Sequence, residues 1–160
     1  MVQPKTKKVT DEKIALAKAK HYCAYQERSQ QEVRDKLHNW GLYPAGVENV
    51  IMHLIDKNFL NEERFANAYT TGKFRQKGWG KNKIKQGLKL KKVSEPLIKK
   101  ALKNINEDDY LEMLQKVIHK KEALLPEKDP YKRRYKLQQY ALSRGYENDL
   151  ISEVLKELVD

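Results

Sequence analysis

Apolar residues follow one recurring template along the chain. Val33 and Leu37 precede Leu42, and Val47, Val50, Ile51 and Leu54 follow. A shift of 51 residues gives Ile84, Leu88, Val93, Ile98, Ala101, Leu102 and Ile105; a further 53 gives Leu137, Ala141, Tyr146, Ile151, Val154, Leu155 and Leu158. The last four positions of each set are spaced i, i+3, i+4, i+7, which is one face of an α-helix. The earlier pair, four residues apart, marks the inner face of a preceding helix, and a further helical stretch lies upstream. The pattern therefore predicts an all-α chain of three tandem three-helix, helix-turn-helix-like repeats, at 12–58, 59–106 and 107–160, behind a basic tail at 1–11. No segment alternates with period two. The short connections predict an elongated, curved array with some hinge freedom.

Boundary residues agree with this division. Ser29-Gln30-Gln31-Glu32 reads as a capping box, in which serine and glutamate satisfy amide hydrogens at a helix start. Asn61 can cap the next repeat, with Glu62 and Glu63 near the positive end of the helix dipole. Asp129-Pro130 opens a helix in the third repeat, and the two prolines of ALLPEKDP mark the loop before it. Gly41 and Gly145 stand at equivalent places after the second helix, where a left-handed residue ends it. The equivalent residue of the middle repeat is Lys92, which would be strained in that conformation, so a different turn is expected there. Gly78 and Gly80 supply a turn, and Gly87 allows close helix packing.

Charge sharpens the picture because it is uneven. The formal charge is +11, but residues 61–106 hold 13 bases and 3 acids, whereas 107–160 hold 10 and 12. Lys73 to Lys92 contains nine bases and no acid. Such a field steers a protein toward a polyanion or an acidic partner and makes binding salt-sensitive. On a helix from about Lys81 to Lys91, Lys81, Lys85 and Lys89 form an outward row with Ile84 and Leu88 facing the core. Like charges so spaced weaken an isolated helix by roughly 0.2–0.5 kcal/mol per pair, which an anion would relieve. The competing reading is a solvated lysine face. The candidate binding residues are Lys73, Arg75, Lys77, Lys81, Lys83, Lys85, Lys89, Lys91 and Lys92, with a secondary cluster at Lys132, Arg133 and Arg134. Phe74 and Trp79 could stack on bases, although core packing is the commoner role for such aromatics.

Other chemistry is excluded more readily. His21, His38, His53 and His119 are scattered without metal-ligand spacing, and Glu107, Asp108 and Asp109 fit a helix start. The residues after Gly80-Lys81 do not complete a phosphate-binding loop. Cys23, the single cysteine, permits no internal disulfide and suits core packing. No catalytic constellation, metal or cofactor is expected. Lacking an apolar leader or spanning segment, the chain is expected to be cytoplasmic and monomeric, with no membrane partner.

SQQEVRDKL at 29–37, NFLNEERFANAY at 58–69 and RRYKLQQYALSRGY at 133–146 resemble the signatures of the bacterial RecX family. The resemblance extends over residues 12 to 160. Two positions depart from the family pattern: Asn61 and Glu62 replace a usual pair of aspartates, and Lys92 a usual glycine. The resemblance implies a noncatalytic regulator that binds RecA, or the RecA filament on single-stranded DNA, and restrains ATP hydrolysis, strand exchange or filament growth. Its setting would be homologous recombination, DNA repair and the SOS response. The alternative is an autonomous, nonspecific DNA-binding protein; lysines outnumber the arginines and amides suited to base readout.

Overall fold

The computed structural model describes residues 8–159. Among them nine helices and no strand occur: α1 (Glu12–Tyr25), α2 (Gln30–Trp40), α3 (Pro44–Asp56), α4 (Glu62–Lys77), α5 (Lys81–Leu90), α6 (Glu95–Lys103), α7 (Glu107–Leu124), α8 (Pro130–Ser143) and α9 (Asn148–Val159). Of the basic tail, only its last four residues lie within the described part of the chain.

The helix starts are where the sequence chemistry puts them. Ser29 and Glu32 form the reciprocal capping box of α2, Asn61 Oδ1 accepts from the Arg64 amide at 2.9 Å, and Asp129 caps α8 with Pro130 in its first turn. Asn106 caps α7 and places Glu107, Asp108 and Asp109 in the first turn, where the helix dipole favours negative charge.

The chain divides into two compact units. The first runs through Ala66 and includes Lys91–Val93; the second holds Asn67–Leu90 and everything from Ser94 onward. In the first, Val33, Leu37, Leu42, Val47, Val50, Ile51 and Leu54 are all buried, together with Ala15 and Ala19 of α1. In the second, Ile84, Leu88, Ile98, Leu137, Ala141, Tyr146, Ile151, Val154 and Leu155 are buried, joined by Tyr110, Leu114 and Ile118 of α7.

Within the second unit the α4–α5 link and the α8–α9 turn meet backbone to backbone. The Gly80 amide donates to the Arg144 carbonyl at 2.8 Å and the Asn82 amide to the Gly145 carbonyl at 2.9 Å. The Tyr146 hydroxyl donates to the Gly78 carbonyl at 2.9 Å, and Tyr110 lies between Phe74 and Tyr146, with ring centroids 5.9 and 5.2 Å away. Glycine is required at this seam: a Cβ on Gly80 would lie 2.4 Å from the Gly145 backbone, and one on Gly145 2.4 Å from Lys83 Cβ. Gly145 also has φ +97°.

The expectation of a different turn at Lys92 is corrected. Lys92 adopts the left-handed conformation, φ 59°, in the place that Gly41 and Gly145 fill at φ 99° and 97°. It is exposed, so nothing crowds its Cβ, and the backbone strain, on the order of 1–2 kcal/mol, is borne without a steric clash.

Candidate functional site

The basic stretch starts on the last turns of α4, passes through the Gly78-Trp79-Gly80 link and continues along α5. That link holds Trp79 half-exposed, and two lysines lie over its ring: Lys73 Nζ at 4.9 Å and Lys83 Nζ at 4.6 Å from the centroid. Lys73 also lies 5.4 Å from the Tyr69 ring. Phe74 is buried against Tyr110 and belongs to the core. Ammonium groups over a partly exposed indole give a surface that attracts phosphate beside an aromatic ring.

Lys81, Lys85 and Lys89 run along a flank of α5 rather than opposite buried Ile84 and Leu88, with Lys81 and Lys85 half-buried and Lys89 exposed, and the row is not free of acids. Lys89 pairs with Glu95 at 3.2 Å, an interaction that lowers the Glu95 carboxyl below its ordinary pKa. Lys81 Nζ stands 4.6 Å over the Tyr110 ring and shares a cleft with Glu107, Asp108, Glu147, Asp149 and Glu153. The Tyr110 hydroxyl donates to Glu147 and accepts from the Lys81 amide at 2.9 Å. Its phenol is held protonated, first by burial and then by the Glu147 hydrogen bond. The acids missing from the linear stretch thus come from α6, α7 and α9. Lys85 is the row's member with no ion pair or ring contact among the described residues.

The remaining candidates lie elsewhere. Arg75 and Lys77 line a separate groove beside α7. Lys91 and Lys92 belong to the first unit, where Lys91 Nζ is 3.9 Å from Glu32. In α8, Lys132 is exposed and Arg134 half-buried, but the Arg133 guanidinium turns back onto the chain, donating to the Leu125, Glu127 and Glu122 carbonyls at 3.1, 2.8 and 2.9 Å. Arg133 closes the carbonyl end of α7 and its loop. The twelve candidates therefore do not form one patch; the structure brings together Lys73, Trp79 and Lys83, with Lys85 farther along α5.

Among the described residues no cluster of histidine, cysteine and carboxylate groups is disposed to hold a metal ion, and no helix is long and apolar enough to cross a membrane. Cys23 is buried, which pushes its thiol up to about 11. The cations that sequence reasoning overlooked are Lys116, Lys120, Lys121 and Arg144, which converge beside α7. The spacing of Lys116 and Lys120, four apart on a helix, was a usable signal; acids elsewhere in the repeat masked it.

Comparison with known proteins gives three adjoining matches. Residues 15–54, 61–102 and 107–155 match the family models for the first, second and third three-helix domains of RecX. The "Regulatory protein RecX" of Clostridium perfringens is 33% identical over 135 residues, 83% of this chain and 63% of that protein. That of Bacillus licheniformis is 30% identical over 149 residues, 92% and 56%. The chain thus spans less than two thirds of the length of these relatives. In structure, the crystal structure of RecX from Lactobacillus salivarius superposes with a TM-score of 0.82 at 23% identity, covering 92% of this chain and 96% of that one.

Proposed function

The chain belongs to the RecX family, and from that premise we propose that it is a noncatalytic regulator that binds RecA or its filament on single-stranded DNA and restrains ATP turnover, strand exchange or filament growth. The observation that supports the nucleic-acid part is the Lys73–Trp79–Lys83 cluster, where two ammonium groups lie over a partly exposed indole. A strand running past it would place phosphates against the lysines and a base against the ring, with Lys85 extending the track. Several weak contacts of this kind raise avidity along a polymer without one tight site.

The test compares wild type with Lys73→Gln/Lys83→Gln/Lys85→Gln, reading RecA-filament association and ATPase alongside helical content by circular dichroism. The expected result is filament association weakened about tenfold with helicity retained. If about three phosphates are contacted, the logarithm of single-strand affinity should fall with the logarithm of salt at a slope near −2, and the triple variant should flatten it. Unchanged association with unchanged salt dependence would remove this surface from the mechanism. Tight naked-DNA binding with no effect on RecA would favour the autonomous DNA-binding reading.

A further inference from the structure

A second surface of the same unit has different chemistry. An open groove of about 1250 Å³ runs along α7, walled by the end of α4 and by Tyr140 and Arg144 near the end of α8. Its rim is cationic: Arg75, Lys77, Lys116, Lys120 and Lys121, with Glu112 the one carboxylate in the lining. None of Arg75, Lys77, Lys116 or Lys120 makes an ion pair among the described residues. Arg144 stands at the wall with one guanidinium nitrogen donating to the Lys77 carbonyl and with Nε buried and without an acceptor.

The floor is aliphatic. Met113 and Val117, four residues apart, lie along one side of α7, and Leu124 at its end is 77% exposed. Tyr140 and His119 are the ring side chains in the lining, with Lys121 Nζ 4.9 Å from the Tyr140 centroid, and the apolar anchors of the groove are chiefly aliphatic. A single-stranded nucleic acid uses aromatic platforms. An extended or helical peptide uses aliphatic anchor sites within a groove, and a basic rim selects acidic flanks.

We propose that this groove docks an acidic peptide segment of a partner protein, with one or two apolar side chains on Met113, Val117 and Leu124 and carboxylates facing Lys116, Lys120 and Arg144. The site is distinct from the Trp79 cluster and does not depend on nucleic-acid binding there.

The probe is a fluorescein-labelled peptide of roughly twelve residues, glutamates with two leucines four apart, followed by anisotropy with the full chain at low salt. A peptide with both leucines replaced by serine and an oligothymidylate serve as the other arms. Expected results are at least about fivefold weaker binding of the serine peptide, about tenfold loss on Lys116→Gln/Lys120→Gln, several-fold loss on Leu124→Ser, and no loss on Lys73→Gln/Lys83→Gln. All substituted side chains in the groove are exposed, and circular dichroism checks that the variants fold. Equal binding of the two peptides would overturn the proposal by reducing the groove to a general polyanion sink. So would oligothymidylate binding that the groove substitutions abolish, or peptide binding indifferent to them.

Discussion

The second and third repeats carry their positive charge in opposite ways. In the second it is written along one stretch of chain, yet three-dimensional neighbours answer part of it: Glu95 at Lys89, and the acids around Lys81. The third repeat holds 12 acids to 10 bases, yet its α7 lysines join Arg75, Lys77 and Arg144 in a concavity with one carboxylate. Linear charge is a guide to where a field could arise. Which cations remain available is decided by what the fold places beside them, at the 4–6 Å range where opposite charges matter most.

The same two repeats differ at their equivalent turns, and substitutions there break the comparison most strongly. Gly145→Ala should cost about 3 kcal/mol or more, because the new Cβ meets both a left-handed φ and the Lys83 Cβ and amide, at 2.4 and 2.6 Å. Urea denaturation checks this; a loss below about 1 kcal/mol would mean that the seam shifts freely. Gly87→Ala should be milder. The added Cβ would lie 2.0 Å from the Tyr69 hydroxyl, the far end of a side chain that can swing, and alanine recovers up to about 1 kcal/mol of helix propensity. A net loss on the order of 1 kcal/mol is expected, half or less of the Gly145 effect. Lys92→Gly should reverse the sign, stabilising by about 0.5 kcal/mol, since relief of left-handed strain exceeds the added freedom of the unfolded chain.

Much of the fold was legible before coordinates because local and tertiary signals agree. The apolar template at Val33, Ile84 and Leu137 marks buried positions in each repeat, and the caps at Ser29, Asn61 and Asp129 sit where their side chains can reach orphan amides. Lys92 was misjudged because residue type reports preference, not the strain a fold can carry. The division into units was less visible: the seam of Gly80 with Gly145 and of Tyr110 with Tyr146 joins residues far apart in sequence, and a period read along the chain holds no information about it. The candidate surface was half legible. The run of lysines announced itself, but its partners on α6, α7 and α9 and the role of Arg133 as a carbonyl clamp depend on tertiary proximity.

The smallest expected effect is the most direct probe of how neighbours mute the α5 row. Hydrogen bonding to Lys89 lowers the Glu95 carboxyl, so the pair is fully ionised at neutral pH and separates only as pH falls below the ordinary carboxylate range. Both side chains are about half exposed, so solvent screens the pair and its effect on stability is slight. Glu95→Gln leaves Lys89 charged and unpaired next to Lys85, and should raise single-strand affinity about twofold at low salt, the gain fading as ionic strength shortens the Debye length to roughly 8 Å. No gain at any salt would place Lys89 outside the track, leaving the strand to follow Lys73, Lys83 and Lys85; a gain persisting at high salt would indicate a direct contact that Glu95 blocks sterically.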